Sequence, residues 1–379
     1  MLNLAKRGIV LLFLFRTSCV WSENQTRNNV SFCSINISYK GDLTSSFSGG
    51  LKTGSTYLGL VDLSFEFSTE KAGLWRGGTL MIHGENSQGG QPSANYVGDF
   101  QGVDNIDACG SHTFMYELWY SQTIKNLSIT AGLQDLSATF AYSDVAGIFI
   151  NSSFGIHSVM ATNFASPIYP LTSMGITFCW DAPDHNWGLK GAFFKGCPLD
   201  FNSNPHNLTW DCSHKHGKLL VGEAYFQWSG SEGKVNITKL GMFYHHHDCE
   251  DKPEQETESG FYLVGDNQLT PGKHAVSLFY QLAVSPNQNN SCYMGAGLNY
   301  HGIFSPKKKN DEMGLAVGRA CLKNTCAPKD ETTIELTYHL QLTTRIYIQP
   351  DIQYICHPAG TGEDLPNATF GLVRLGIDL

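Results

Sequence analysis

The sequence predicts an all-β protein, folded as a transmembrane antiparallel β-barrel. Apolar and polar side chains alternate along many segments of about ten residues, the length that a tilted strand needs to cross a bilayer. Tyr, Phe and Trp recur near the ends of these segments, where such barrels carry aromatic girdles. The chain also ends inside an alternating segment, 370–379, as expected if the last strand pairs with the first and no edge is open to lipid.

A soluble β-sandwich also alternates, so strand length and the surroundings of the two faces decide between the folds. Sandwich strands are usually about five or six residues long, with one face on a second sheet and the other in bulk water. In a barrel the apolar face meets lipid and the polar face lines an aqueous lumen. The stretch 335–354 alternates throughout, with Leu336 and Leu340 on one face and Glu335 and His339 on the other. This length favours the barrel.

The elements follow one another as alternating segments separated by clusters of Gly, Asn, Asp, Pro and Ser. Residues Phe32 to Tyr39 alternate weakly, whereas 56–67 alternates cleanly after a break in register at Leu58 and Leu60. Helical periodicity is nearly absent, and no apolar run reaches the length of a transmembrane helix. Chain length allows about 16 strands, and about 14 or 18 fit nearly as well. The remaining segments are 78–85, 114–123, 127–134, 175–180, 187–194, 219–228, 235–245, 274–284, 292–304 and 313–322.

The N-terminus has the features of a secretory signal. Lys6 and Arg7 precede an apolar run from Ile9 to Phe15, and small residues follow near Ser22. We therefore predict a signal peptide over 1–22, a polar segment over 23–38 and a barrel domain over 39–379. Removal of 1–22 would move the formal net charge from −9 to −12, because three cations and no anions leave. Such an acidic chain is not expected to bind nucleic acid.

Cysteine usage indicates disulfides. The chain has 11 cysteines, and an even number remains if Cys19 leaves with the signal. Connectivity cannot be read from the sequence, but the pairs Cys197/Cys212 and Cys321/Cys326 are close enough to link loops. Free surface thiols are the alternative. No C-x-x-C pair is present, so neither a redox motif nor a zinc ribbon is indicated.

Segments throughout the chain resemble the carbohydrate-selective porin family, the OprB-type porins of Gram-negative outer membranes. The residues that carry the resemblance are 48–84, 96–106, 116–122, 132–155, 260–269, 297–320, 335–362 and 365–379. The resemblance implies a 16-stranded outer-membrane barrel, with short periplasmic turns and longer external loops, through which sugars diffuse passively. Porins often form homotrimers, but no residue pattern here fixes the oligomer. The chain departs from the family at Leu379, where Phe is usual, in its cysteines, and most in 195–256.

Sugar passage requires side chains that replace hydration shells with hydrogen bonds, aromatic faces for the sugar C–H surface, and weak binding. Glu117 and Trp119 are predicted to line the constriction together, and Lys52 and Arg76 are candidate opposing charges. Each of these residues could instead simply solvate the wall. The lumen-facing candidates from the alternation are Asp62, Glu66, Glu117, Trp119, Gln134, Asp135, Glu335, Arg345, Asp351 and Arg374.

Neither a cofactor, a metal site nor an enzymatic activity is expected. The His- and Cys-containing stretches 212–216 and 245–249 contain zinc-ligand types but lie in polar sequence that reads as solvated loop. No G-x-S-x-G, phosphate-loop, G-x-G-x-x-G or H-E-x-x-H motif occurs. Two other functions remain open: a general porin for small solutes including anions, and a cysteine cross-linked structural protein of the envelope.

Overall fold

A computed structural model describes residues 31–195, 197–210, 217–229, 235–246, 257–270, 274–304, 311–323 and 327–379. The predicted signal peptide over 1–22 lies outside these residues. In the described part, sixteen strands form one closed antiparallel barrel in which each strand pairs with its sequence neighbours and β16 pairs with β1. The strands are β1 Cys33–Ser48, β2 Gly54–Ser68, β3 Gly78–Gly89, β4 His112–Ile124, β5 Leu127–Gln134, β6 Ser173–Asp181, β7 Trp187–Lys195, β8 Lys218–Ser229, β9 Val235–His246, β10 Thr257–Thr270, β11 Val276–Val284, β12 Asn290–His301, β13 Asp311–Leu322, β14 Glu331–Gln341, β15 Ile346–Cys356 and β16 Ala368–Asp378.

The alternation separates an outer from an inner face, as the sequence predicts. On β14, Ile334 and Leu336 are 41% and 42% exposed on the outside, whereas Glu335 between them is fully buried inside. On β16, Val373 and Leu375 are exposed and Arg374 is buried. Closure satisfies the backbone hydrogen bonds of both terminal strands, which a sheet immersed in hydrocarbon requires.

Two predicted boundaries are wrong. The stretch 335–354 is not a single strand, because β14 and β15 form a hairpin that turns at 342–345. The alternation continues through this turn in the sequence, so the break is hidden. The barrel begins at Cys33 rather than at residue 39, because β1 pairs with β2 from Cys33 onward.

The connections differ at the two ends of the barrel. One end, the turn end, carries short connections such as 69–77, 125–126, 182–186 and 342–345. The other, the loop end, carries the two longest fully described connections, the β3–β4 loop (90–111) and the β5–β6 loop (135–172). The β5–β6 loop contains two short α-helices, α1 Ser152–Gly155 and α2 Ser158–Thr162. No helix in the described ranges has the length and apolarity to span a membrane.

Both long loops fold into the barrel and bury apolar side chains there. Phe140, Val159 and Met160 of the β5–β6 loop pack on inner-wall residues that include Phe194 and Tyr262. In a second cluster, Val97 and Val103 of the β3–β4 loop pack against Ile355, Phe370 and Leu372. Alternation into a water-filled lumen would require a uniformly polar inner wall, and the inner wall is not uniformly polar. Where a loop covers it, the wall is an apolar packing surface.

One disulfide joins neighbouring strands in the described part of the chain. Cys292 on β12 and Cys321 on β13 are direct cross-strand partners with a Cα–Cα distance of 5.0 Å. The suggested pair Cys321/Cys326 is therefore wrong, because the strand register brings Cys292 to Cys321. Cys212 and Cys326 lie outside the described residues, so the pair Cys197/Cys212 stays a prediction.

Candidate functional site in the barrel lumen

Carboxylates on the inner wall hold the two inserted loops by their backbone. Glu335 of β14 accepts hydrogen bonds from the amides of Ile150 and Asn151, at 2.6 and 2.9 Å. Glu331, four residues earlier on the same face of β14, accepts the amides of Phe100 and Gln101 at 2.7 and 2.9 Å. A loop inside a barrel carries backbone N–H groups that water cannot reach, and these carboxylates supply the acceptors.

Two lysines on the opposite part of the wall hold loop carbonyls. Lys190 of β7 donates to the carbonyl of Thr139, and Lys239 of β9 donates to that of Tyr142, each at 2.9 Å. Glu223 of β8 pairs with Lys190 at 3.2 Å and also accepts the Ala141 amide at 2.9 Å. The charges of these three residues are used to fix the β5–β6 loop.

Arg374 lies at the seam where the barrel closes. Its guanidinium makes a two-pronged contact with Asp42, the partner of Arg374 across the β1–β16 pair, with nitrogen–oxygen distances of 2.6 to 3.1 Å. It also donates to Asn105 at 2.9 Å and lies 3.3 Å from Asp104. One buried side chain thus connects the first strand, the last strand and the β3–β4 loop.

A group of partly exposed inner-wall residues remains beside the loops. This acidic–aromatic strip consists of Asp62 on β2, His83 on β3, and Glu117 and Trp119 on β4. The Trp119 indole donates to Glu117 Oε1 at 3.2 Å, and the other Glu117 oxygen lies 3.5 Å from His83 Nδ1. His83 Nε2 lies 2.7 Å from Asp62 Oδ2. Carboxylate, imidazole and indole groups therefore form one continuous patch facing the lumen.

A β-bulge in β4 shapes this patch. The register between β3 and β4 shifts after His83 pairs with Glu117, so Tyr116 is the extra residue. Strict alternation places Phe114 and Tyr116 on the face opposite Glu117, but both are buried inside the barrel. The Tyr116 hydroxyl donates to Asp135 at 2.7 Å, and its ring meets His83 edge-on with centroids 5.0 Å apart.

The structure divides nine of the ten predicted lumen-facing residues, all except Arg345, into two groups. Asp62, Glu117 and Trp119 come together in the strip, and Glu66 lies on the same face of β2 nearer the turn end. The others are buried and hydrogen-bonded within the protein: Gln134 to the Gly175 carbonyl at 2.8 Å, Asp135 to the Ser137 amide at 2.7 Å, Asp351 to Gln353 at 3.1 Å, and Glu335 and Arg374 as described above.

Three of the predicted charged residues lie in connections between strands and not on the inner wall of the barrel. Arg345 is an exposed residue of the 342–345 turn, because the alternation that suggested it runs through a hairpin. Lys52 lies in the 49–53 connection at the loop end, with its ammonium 5.2 Å from the ring centre of Tyr96. Arg76 is exposed in the 69–77 connection at the turn end. Lys52 and Arg76 are thus at opposite ends of the barrel and do not form one constriction.

The histidine stretch 245–249 is only partly a loop. His245 belongs to β9, is fully buried and stacks on Phe164 with ring centres 4.5 Å apart. Its Nδ1 lies 3.2 Å from Glu258 and its Nε2 3.7 Å from the Cys197 sulfur. The expectation of a solvated loop is therefore wrong for His245, because β9 extends to His246. Residues 247–249 and 212–216 lie outside the described residues.

Sequence reasoning missed several residues of the lumen. His83 shares the polar phase of the segment 78–85, so the alternation contains a signal for it. Asp42 alternates with Leu43 in the same way. Asp104 and Asn105 lie in a loop without periodicity, and no local pattern marks them as partners of Arg374.

Burial changes the proton affinity of several loop residues. Burial raises the pKa of Asp107 to about 6, against an opposing hydrogen bond from the Cys109 amide. Burial and the neighbouring Asp42 carboxylate raise the pKa of Asp104 well above its usual range. Burial lowers the pKa of His157, which precedes α2, to about 3. Asp104, Asp107 and His157 are thus biased toward their neutral forms inside the barrel.

The comparisons with known proteins agree with this architecture. The family model described as "Carbohydrate-selective porin, OprB family" matches residues 52–379. The chain belongs to the carbohydrate-selective porin family. A high-pH structure of Pseudomonas putida OprB is similar with a TM-score of 0.80 at 17% identity, covering 92% of this chain and 94% of that one. A low-pH structure of the same protein gives 0.57 at 14% identity, covering 92% of each chain.

A mutant porin of Rh. blastica is similar with a TM-score of 0.52 at 10% identity, covering 92% of this chain and 100% of that one. No curated protein matches this porin by sequence. The predicted fold class, a 16-stranded antiparallel barrel, is confirmed, and membership of the family implies sugar solutes and an outer-membrane location. The family is one of channels. The buried charges of the inner wall, such as Glu335, hold the inserted loops.

Proposed function

We propose that this porin lets sugars diffuse passively through the lumen and that the acidic–aromatic strip is the surface they touch. The contact between Trp119 and Glu117 carries the proposal. An indole face suits the C–H surface of a sugar, and a carboxylate beside it accepts sugar hydroxyls. Both groups are half-buried on the wall, whereas the predicted carboxylate Glu335 is occupied by the backbone amides of the β5–β6 loop.

Weak binding is what such a site requires, because a solute must leave as readily as it enters. One aromatic contact contributes about 1 kcal/mol, which corresponds to about a fivefold change in affinity. Loss of Trp119 is therefore expected to weaken sugar binding about fivefold while the barrel stays intact.

Sugar block of ion current through single channels tests this. Trp119→Ala is expected to raise the glucose concentration for half-block about fivefold, and Glu117→Gln to raise it by a smaller factor. Trp228→Ala is the matched control, since Trp228 is exposed on the outer face of β8. Equal sugar block in wild type, Trp119→Ala and Glu117→Gln would refute the strip as the sugar contact.

The two alternative functions predict different results. An anion porin would need excess positive charge at the constriction, whereas the strip contains two carboxylates and one histidine. A cross-linked envelope protein would use its cysteines between chains, but Cys292 and Cys321 bond within one chain. Electrophoresis of envelopes with and without reductant would reveal a ladder of reducible oligomers if the second alternative holds.

We further propose export through the 1–22 signal, residence of the outer apolar face in outer-membrane lipid, and assembly as a homotrimer. The support is the exposed apolar outer face, with Leu315, Val317 and Leu336 as examples, together with the family. Chemical cross-linking of the porin in native membranes measures the oligomer. Cross-linked species no larger than a dimer would refute the trimer.

A further inference from the structure

His83 lies among three carboxylates, and the proposed sugar contact uses only one of them, Glu117. Nε2 of His83 faces two carboxylates, Asp62 Oδ2 at 2.7 Å and Glu85 Oε1 at 3.6 Å. Nδ1 faces a third, Glu117 Oε2, at 3.5 Å. One imidazole ring is therefore surrounded by three carboxylates from strands β2, β3 and β4.

The strand register makes this arrangement a built feature of the wall. Asp62 and Glu85 are direct cross-strand partners, and so are His83 and Glu117. His83 and Glu85 are two residues apart on β3 and so share its inner face. All four side chains thus project from rigid, hydrogen-bonded strands into the same volume.

Glu85 has an oxygen that the protein leaves without a partner. Its side chain is only 5% exposed, and Oε2 is buried with no hydrogen-bond partner among the described residues. A buried carboxylate oxygen without a donor is costly unless a proton, a water or a cation compensates it. Lys40 acts on Asp62 and Glu85 only at Coulombic range and makes no ion pair with them in the described part.

We propose that Asp62, His83 and Glu85 bind a divalent transition-metal cation of the Zn²⁺ type in the lumen wall. Nε2 of His83 and one oxygen from each carboxylate form the ligand set, and these three atoms lie within 4.8 Å of one another. Imidazole and carboxylate together suit zinc better than calcium or magnesium, which prefer oxygen alone. Water completes the coordination from the lumen side, where the Asp62 side chain is 26% exposed.

Glu117 supplies the outer support that such a site needs. A histidine that binds metal through one nitrogen usually donates its other N–H to a carboxylate, which fixes the ring and strengthens the ligand. Glu117 Oε2 lies 3.5 Å from His83 Nδ1 and so occupies that position. It is therefore a positioning residue for the metal.

The two distances from His83 Nε2 are close to those that zinc requires. Zinc–ligand bonds of about 2.1 Å place tetrahedral ligand atoms about 3.4 Å apart. The 3.6 Å between His83 Nε2 and Glu85 already matches this spacing. The 2.7 Å between Nε2 and Asp62 is a hydrogen-bond length. When the cation replaces the proton that Nε2 and Asp62 share, Asp62 moves outward by less than 1 Å. Asp62 is the most exposed of the three ligands.

Zinc binding to the folded, detergent-purified porin, measured by calorimetry with Zn²⁺ alone, tests the proposal. Wild type is expected to bind one equivalent that both His83→Gln and Glu85→Gln lose. Glu117→Gln is expected to retain it with affinity lowered about 10- to 100-fold. The control is His339→Gln on β14, whose imidazole nitrogens lie 3.4 Å from glutamine oxygens instead of carboxylates. It is expected to bind as wild type does.

X-ray absorption at the zinc edge of the wild-type protein needs no variant and so stands even where a substitution prevents folding. A shell of nitrogen and oxygen with a single imidazole is expected. A sulfur shell would assign the metal to cysteines and overturn the proposal, as would equal zinc binding by wild type, His83→Gln and Glu85→Gln. None of these measurements uses a sugar, so they stand or fall separately from the proposed transport function.

Discussion

At the scale of single residues, the same side-chain type has different roles according to what lies in front of it. Glu335 and Glu117 are both inward-facing carboxylates on strands, and alternation treats them alike. The β5–β6 loop lies over Glu335, which therefore accepts two backbone amides, while the Glu117 side chain beside Trp119 keeps 14% exposure. Alternation predicts the face of a strand residue. It cannot predict which inner-wall positions a distant loop will cover.

His157 shows how burial within the inserted loop creates a pH dependence. Its Nδ1 accepts the Met160 amide at 3.3 Å and so caps α2, and its ring is fully buried beside Tyr262. Burial lowers its pKa to about 3, below the value of about 6.5 expected in an unfolded segment. The folded loop therefore takes up a proton less readily than the unfolded loop. This contribution to stability is complete above pH 6.5 and is lost as the pH falls toward 3.

We expect the α2 region of the β5–β6 loop to open more often in acid. Hydrogen exchange of the amides in Ser158–Thr162 measures this, and their protection should fall by at most about tenfold for each pH unit below about 6.5. His157→Asn keeps a capping side chain without a titrating group and is expected to remove this pH dependence. If His157→Asn and wild type lost protection equally between pH 7 and pH 5, His157 would not be the cause.

At the scale of elements, strand existence and facing were predictable, and the irregularities were not. Segments such as 127–134 and 187–194 match β5 and β7 to within one residue. A strand with one apolar and one polar face shows alternation with a period of two residues in its sequence. The bulge at Tyr116 and the turn at 342–345 were not predicted, because the sequence continues to alternate through both while the backbone changes direction or register. The inward folding of the β3–β4 loop depends on contacts with residues more than 200 positions away, such as Gln101 with Glu331.

The seam between β1 and β16 contains a buried charge pair whose geometry suits arginine specifically. Asp42 and the side chain of Arg374 are almost fully buried, at 0% and 6% exposure. Lysine keeps the charge but cannot contact Asp42, Asp104 and Asn105 at once with a planar fork.

Arg374→Lys is therefore expected to destabilise the barrel by about 1–3 kcal/mol, measured by reversible urea unfolding in lipid vesicles. Arg319→Lys is the matched control, because Arg319 bonds Asp330 at the same kind of distance, 2.7 Å, but is 52% exposed. Its effect is expected to stay within about 0.5 kcal/mol. Equal effects of the two substitutions would show that burial of the seam pair adds nothing.

At the scale of the whole molecule, the barrel sorts its charges by accessibility. Among the inner-wall cations, Lys190, Lys239 and Arg374 are buried against loop carbonyls or carboxylates. Lys40 is half-buried and lies within Coulombic range of Asp62 and Glu85. The carboxylates of Asp62 and Glu117 keep some exposure to the lumen. The chain as a whole is acidic, with a formal net charge of −9. The charge that a permeating ion meets along the acidic–aromatic strip is therefore negative.

This arrangement predicts that the channel prefers cations over anions, although the sugars that we propose as its solutes can carry no charge. Under a tenfold KCl gradient, the reversal potential is expected to have the sign of potassium permeation and to grow as salt is diluted, because screening weakens at low ionic strength. Asp62→Asn with Glu117→Gln removes the exposed carboxylates of the strip and is expected to move the potential toward zero. Glu363→Gln, an exposed glutamate of the 357–367 connection, is expected to leave it unchanged. A chloride-selective wild type would show instead that cations elsewhere dominate the lumen field and would restore the anion-porin alternative.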